Sequence, residues 1–577
     1  MPLLDSNTAG PARLGFSDEK DLDAFVDKLG QFERGELAPD GWKQFRLVNG
    51  VYSQRQDDAM MVRVKIPQGL LTAAQLRALG EVAQRWSTGR GHLTTRQNVQ
   101  FHFVKLADTA AVVAALGNAG LTTREACGNA VRNVTTCPFA GASALEPFDA
   151  TPYAEAVTRH LLRGPLSSSL PRKFKIAFGG CCGTDCVGAS FNDIGLLARE
   201  QDGQPGFRVT LAGGLSTLRR AGILAHDFAP AEEVLEIAEA VVRVFNRTGN
   251  RKRRDKARLK FVVEQLGADV FLAEYLKERE VIRGEGGLRV SGFGLRAKDE
   301  TVARIAVHPR PRAVREGLGE WTATNVRAQR EPNHVAVTVR VPLGDLTAAQ
   351  LGALADIAEE FSAEREVRTT VDQNLVLRYV QRAHLHVLHS ALDAAGLAEP
   401  GAGTVSDVTS CPGAFSCRLA VTQSRGMARV LGDALAGQEV PGLRIKISGC
   451  PNGCGQHYVS GIGLQGSVRK VNGRAVPQYH LYLGGGFGDG TAAFGRLAAK
   501  LPARRVPDAV QRLLAVYQAE KAPGESPEVF LARLPAARVS ALLADLEELA
   551  VAAPEDFVDL DEQKQFEVQL SEGECAS

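Results

Sequence analysis

No stretch of this chain reaches the roughly 18 uninterrupted apolar residues that a membrane-spanning helix needs. The opening Met1-Pro-Leu-Leu-Asp-Ser6 also lacks a basic segment leading into an apolar run. These two absences argue against a spanning segment and a secretion signal, so a cytoplasmic location is expected. Net charge is almost missing: 68 Lys and Arg face 66 Asp and Glu, a balance of +2 that excludes no class of partner. The glycine run Gly484-Gly-Gly-Phe-Gly488 lacks the Gly-x-Gly-x-x-Gly order and the following acidic residue of a dinucleotide loop. No flavin or nicotinamide motif is read in the chain. Interleaved aromatics are missing from the basic run Arg251-Lys-Arg-Arg-Asp-Lys-Ala-Arg258, so a polycarboxylate ligand suits it better than a nucleic acid.

What the chain does have is clustered cysteine. Ten cysteines in 577 residues, several of them in short runs, suit metal ligation in a reducing compartment better than a disulfide framework. Two runs stand out, Cys411-Pro-Gly-Ala-Phe-Ser-Cys417 and Gly449-Cys450-Pro-Asn-Gly-Cys454. Each keeps its thiols close enough to share one small centre, and Gly and Pro bend backbone around such a centre as a regular helix does not. Four thiolates are the ligand set of an iron–sulfur cube. Zinc is the alternative, but zinc ribbons usually use short Cys-x2-Cys knuckles, unlike the spacings here.

Apolar residues at 44% and charged residues at 23% supply cores for roughly three or four domain-sized units. The organisation is doubled. Arg63-Val-Lys-Ile-Pro-Gln-Gly-Leu-Leu-Thr-Ala-Ala-Gln-Leu76 returns as Thr338-Val-Arg-Val-Pro-Leu-Gly-Asp-Leu-Thr-Ala-Ala-Gln-Leu351. In both copies Thr-Ala-Ala-Gln is a capping-box pattern, after which Leu76, Leu79, Ala83 and Trp86 fall at helical spacing and would bury one face. A second strand over 98–104 or 374–380 and another apolar helix complete a unit that reads strand, helix, strand, helix. Cys137-Pro and a Lys173-to-Cys186 segment follow the first unit, as Cys411-Pro and Arg444-to-Cys454 follow the second. The halves are expected to pack about a pseudo-twofold axis with a shared site between them. Ser143 stands where the twin has Cys417, and Thr338 where the first copy has Arg63. One half is equipped to hold metal and the other to supply positive charge.

Strand geometry places those charges. Arg63 and Lys65 are two apart and point from one sheet face while Val62, Val64 and Ile66 line the other. Lys173 and Lys175 repeat the arrangement, and Gln100 and His102 alternate with Val99, Phe101 and Phe103. A Lys-x-Lys strand by itself is an ordinary solvated face. Several cations converging from rigid strands would instead make a preorganised anion site.

Taken with Thr94-Thr-Arg-Gln-Asn98, Arg132-Asn133 and Leu170-Pro-Arg-Lys-Phe-Lys175, these motifs give the chain a clear likeness. It resembles the sirohaem- and [4Fe–4S]-containing assimilatory sulfite and nitrite reductases, from Trp42 to the glycines at 484–486. The resemblance implies an internally duplicated α+β fold. Two ferredoxin-like half-domains (51–120 and 326–400) would accompany two larger α+β lobes (121–325 and 401–550) that clasp the cofactors. A segment at 1–50 and an acidic tail at 551–577 complete the division, the tail reading as disordered or as a docking segment.

By the same resemblance, Cys411, Cys417, Cys450 and Cys454 hold the cluster, and Cys454 also ligates the sirohaem iron. Arg63, Arg132, Lys173 and Lys175 form the catalytic anion pocket. Arg96, Gln100, His102, Arg251, Arg254, Arg258 and Asn452 meet the sirohaem carboxylates and rim. The implied reaction is six-electron reduction of sulfite to sulfide, or of nitrite to ammonia, with a non-catalytic cluster-binding redox sensor as the reading of another class. Ferredoxin is the expected donor, with a flavoprotein subunit as the alternative; no nucleic acid and no membrane are expected. Lys175 favours sulfite, because plant-type nitrite reductases tend to carry asparagine there. His92 departs from an arginine found in some relatives. Cys137, Cys182 and Cys186, with Ser143 in place of a fourth thiol, read as a vestige of the cluster site. Tyr52 and Cys127 match positions that some relatives place beside the haem.

Overall fold

The computed structural model describes residues 15–577 except 182, 291–308, 311, 314, 439, 550–551, 570–572 and 575–577. Alternation at the end of the strand Ala59–Val64 leaves Val62 and Val64 fully buried on one face and Arg63 on the other. It pairs antiparallel with Val99–Lys105, which pairs in turn with Arg90–Leu93. The far edge of this five-stranded sheet is Asp345–Thr347, a strand from the second repeat. Reciprocally, Leu70–Thr72 of the first repeat closes the second repeat's sheet beside Glu366–Thr369. Each half-domain therefore completes the other. The expected strand–helix–strand–helix unit omits both this traded strand and Arg90–Leu93, which at three and four residues are too short to display a period.

Both capping boxes form. Thr72 and Gln75, and again Thr347 and Gln350, exchange hydrogen bonds at the starts of helices Ala73–Trp86 and Ala348–Phe361. Leu76, Leu79 and Ala83 are fully buried, whereas Trp86 is only partly so. The two helices cross at Gly80, where a Cβ would lie 3.1 Å from the Ala348 carbonyl oxygen. Helices Glu19–Glu33 and Pro39–Val48 add Phe25, Leu29 and Trp42 to the same core.

The two larger lobes repeat one topology. Thr135–Thr136, Ile176–Gly179 and Ile194–Gln201 run parallel, then Gln204–Leu211 and Ile223–Pro230 return antiparallel. Their twins are Thr409–Ser410, Ile445–Ser448, Ile462–Val471, Arg474–Leu483 and Arg496–Pro502. Gly461-Ile-Gly-Leu-Gln-Gly466 has dinucleotide-loop spacing but runs into a strand, not from a strand into a helix.

The C-terminal segment departs from expectation. Its described part packs against the second lobe through Phe557 and Leu560, and Asp556 pairs with Arg505. Its apolar residues anchor a segment whose acidic composition suggests solvent. Among the described residues no helix is long and apolar enough to cross a membrane.

Candidate active site

Strands and loops of both halves converge on a cavity of about 490 Å³ lined by ten lysine and arginine side chains and two carboxylates. All four expected anion-pocket residues, Arg63, Arg132, Lys173 and Lys175, line it. Strand register puts Arg63 opposite Gln100, and its Nη2 lies 3.4 Å from Thr94 Oγ1. Arg132 is held from behind, donating to the carbonyls of Ala126 (3.1 Å) and Gly128 (2.7 Å) and to the Tyr52 hydroxyl (3.4 Å). The Lys175 backbone amide donates to Asp193 (2.9 Å), and the same carboxylate oxygen accepts from Arg258 (2.8 Å). Burial, and then the charges of Arg258, Arg96 and Lys173, hold the Lys175 ammonium well below its ordinary pKa. Lys65 does not join the group. It is buried against Glu125 at 3.6 Å and donates to the Val131 carbonyl at 3.3 Å.

The expected rim residues divide. Arg96, Gln100, His102, Arg254, Arg258, Asn452 and Cys454 line the cavity. Arg251 is not among the lining residues; it is exposed and donates to Ser169 O (2.9 Å) and Asn246 Oδ1 (2.7 Å). In the basic run only its later arginines face inward. Arg96 is braced by Asn192 Oδ1 at 2.8 Å and by the carbonyls of Asn133 and Ile176. His102 Nδ1 meets Gln54 Oε1 at 3.1 Å, and burial, followed by His92 and Arg425, pushes its pKa down to about 3, which keeps the ring neutral. A β-bulge with Phe103 at φ +59° interrupts the expected alternation and turns the Phe103 amide onto Gln54. His92 pairs with Asp345 of the traded strand at 2.9 Å.

Cys411, Cys417 and Cys454 line the same cavity, with Cys450 buried beside them. Gly413 has φ +59°, and a Cβ there would come within 2.3 Å of Ser424 Oγ, so this loop closes only around glycine. The Gly449 amide donates to Cys411 Sγ at 3.3 Å. Burial, and then Cys454 and Cys411, push the Cys450 thiol far up, while burial and Cys454 raise that of Cys411. Buried thiols that feel one another's charge resist ionising without a cation among them. Thr95 Oγ1 donates to the Cys454 carbonyl at 2.7 Å, tying the charged half to the cysteine half.

The pattern of the nitrite and sulphite reductase 4Fe–4S domain matches residues 127–282 and 401–534, and that of the nitrite/sulfite reductase ferredoxin-like half domain matches 52–119 and 327–395. The chain belongs to the nitrite and sulfite reductase family. It is 31% identical over 83% of its length to the assimilatory ferredoxin-dependent nitrite reductase of Haloferax mediterranei, covering 83% of that protein. Against the ferredoxin sulfite reductase of Mycobacterium tuberculosis it is 30% identical, with 81% and 80% of the two chains covered. The solved structure of the Mycobacterium tuberculosis NirA protein superposes with a TM-score of 0.73 at 26% identity, over 91% of this chain and 98% of that one.

The family's cofactors are a [4Fe–4S] cluster and sirohaem, and the residues fit both. Four thiols gathered at one cavity are the donor set of a cube. Arg96 Nε, Arg258 Nε and His102 Nε2 are buried with no hydrogen-bond partner, as a wall awaiting a polycarboxylate would leave them. Several lining residues carried no sequence signal. Asp193 sits in an ordinary turn yet organises Lys175 and Arg258. Lys260, pushed down to about 7 by burial and then by Arg258, occupies an otherwise apolar helix start, which was the available hint. Glu574 reaches the cavity from the C-terminal segment. Tyr52 and Cys127 share one apolar cluster beside Arg132.

Proposed function

We propose that this chain catalyses the six-electron reduction of sulfite to sulfide, taking its electrons from ferredoxin. The observation that carries the reading is the half-buried lysine pair: Lys173 and Lys175 both line the cavity, beside Arg63 and Arg132. Four cations in a pocket of low dielectric suit a doubly charged oxyanion better than a singly charged one. When bound, the sirohaem–cluster pair supplies electrons to the substrate. The protein's own residues bind and protonate. Arg63 and Arg132, braced by neighbouring oxygens, would pair with substrate oxygens in fixed directions. Lys175, whose pKa is lowered by burial and adjacent cations, gives up a proton more readily than an exposed lysine, as each departing oxygen requires. Cys411, Cys417, Cys450 and Cys454 would hold the cluster, and Arg96, Arg254 and Arg258 the tetrapyrrole carboxylates.

Nitrite reduction at the same site is the second reading. It is supported by the Haloferax enzyme and by the ferredoxin–nitrite reductase of Synechococcus elongatus, 30% identical over 79% of this chain and 85% of that one. Steady-state turnover of the holoenzyme on both anions, driven by reduced methyl viologen and then ferredoxin, separates the two. Lys175→Asn is expected to lower kcat/KM for sulfite about 10- to 100-fold, the worth of one charge-assisted hydrogen bond, and for nitrite much less. Equal losses on the two anions would remove the sulfite assignment.

A further inference from the structure

The first lobe carries a second cysteine group that the reductase site does not use. Cys137, Cys181 and Cys186 place their Sγ atoms all within 4.8 Å of one another. Cys137 follows the strand Thr135–Thr136, and its amide donates to the Phe178 carbonyl at 2.9 Å. Cys181 follows the neighbouring strand Ile176–Gly179, and Cys186 closes the loop after it. Cys182, named in the sequence reading, lies outside the described residues; Cys181 is the one that converges. Ser143, at the position of the twin's Cys417, accepts from Cys181 Sγ at 3.2 Å.

Spacing separates this group from a cube. Ligands of a [4Fe–4S] cluster each bind a different iron and so stand well apart, whereas three thiolates on one zinc ion, at about 2.3 Å each, lie about 3.8 Å from one another. Among the described residues, the quartet at 411–454 forms no such tight group and the trio does. Cys137 and Cys181 are buried at 0% and 3% exposure, while Cys186 is half-buried and leaves a way in. Arg444 is near enough to Cys186 to offset part of the thiolate charge. Asp185 does not compete as a ligand, because it accepts from the amides of Val187, Gly188 and Ala189 at 2.7–3.0 Å.

We propose that Cys137, Cys181 and Cys186 bind one zinc-class divalent ion, with the fourth position open to Ser143 or water. Binding releases the thiol protons to solvent and moves no electrons. The ion would pin the loop that leads directly into Val187, a wall residue of the active-site cavity, to the strand ahead of it. The site is thus a structural staple in the half that supplies the anion-pocket lysines, and not a faded copy of the cluster.

The test uses the holoprotein, so that the quartet is already filled with iron. After incubation with zinc sulfate and desalting, elemental analysis is expected to find about one zinc per chain beside about five irons. Cys181→Ser and Cys186→Ser should each lose the zinc while keeping the iron and the visible spectrum. Alkylation of the unsubstituted holoprotein, mapped by peptide mass spectrometry, should find Cys186 protected several-fold by zinc, a readout that needs no variant to fold. Zinc absent after loading, zinc retained equally by both variants, or Cys186 alkylated at the same rate with and without zinc overturns the proposal.

Discussion

Lys175 owes its place to groups that hold it by the backbone. Asp193 accepts from its amide and from Arg258, so one carboxylate sets two cavity cations. Asp193→Asn keeps the shape but weakens both charge-assisted bonds, and it is expected to raise KM for the anion and lower kcat/KM about tenfold, with iron content unchanged. His457 makes a separate residue-scale prediction. Its Nδ1 meets Ser448 Oγ at 2.8 Å, and burial holds its pKa near 3 against an ordinary 6.5. The folded state keeps the ring neutral while the unfolded chain takes up a proton. Its contribution to stability is therefore full above pH 6.5 and is lost as pH falls toward 3. The slope is at most about 1.4 kcal/mol per pH unit. Thermal midpoints measured across that range should fall less steeply for His457→Asn than for the unsubstituted protein.

Among elements, the decisive feature is the trade of edge strands. Leu71 faces Val367 and Leu346 faces Gly91, so the register of one sheet is written partly by the other repeat. The helix crossing behind the strands depends on Gly80, whose missing Cβ leaves room for the Ala348 carbonyl. Because that neighbour is backbone, Gly80→Val cannot be relieved by a rotamer change. It is expected to destabilise by about 1–3 kcal/mol, read as a lower denaturation midpoint. Thr72→Ala, which removes a side-chain cap, should cost about 1 kcal/mol. The sequence pattern made the helices and caps legible because they repeat over 14 residues each. It could not reveal the three-residue strands, whose pairing partners lie about 250 to 300 residues away in the chain.

For the whole molecule, the C-terminal segment shows how distant chain shapes the cavity. Glu574 pairs with Arg46, accepts from the Ser53 amide at 2.8 Å, and lines the site. Both partners are buried, so Glu574→Gln strands a guanidinium and is expected to cost about 3–5 kcal/mol. Arg46→Met combined with Glu574→Leu leaves neither charge alone and should recover much of that loss in thermal denaturation. The duplication, the capping boxes, the cysteine quartet and the lysine pair were all readable from the chain, because each is a local spacing of residue types whose chemistry is intrinsic. Folding alone decided that Lys65 turns to Glu125, that Arg251 faces solvent, that Cys181 joins Cys137 and Cys186, and that the acidic tail packs inward. Those outcomes depend on which groups meet across hundreds of residues, and on burial charges the sequence does not list: a side chain's direction is set by the neighbours that compete for it, and these exist only once the two halves have closed on each other.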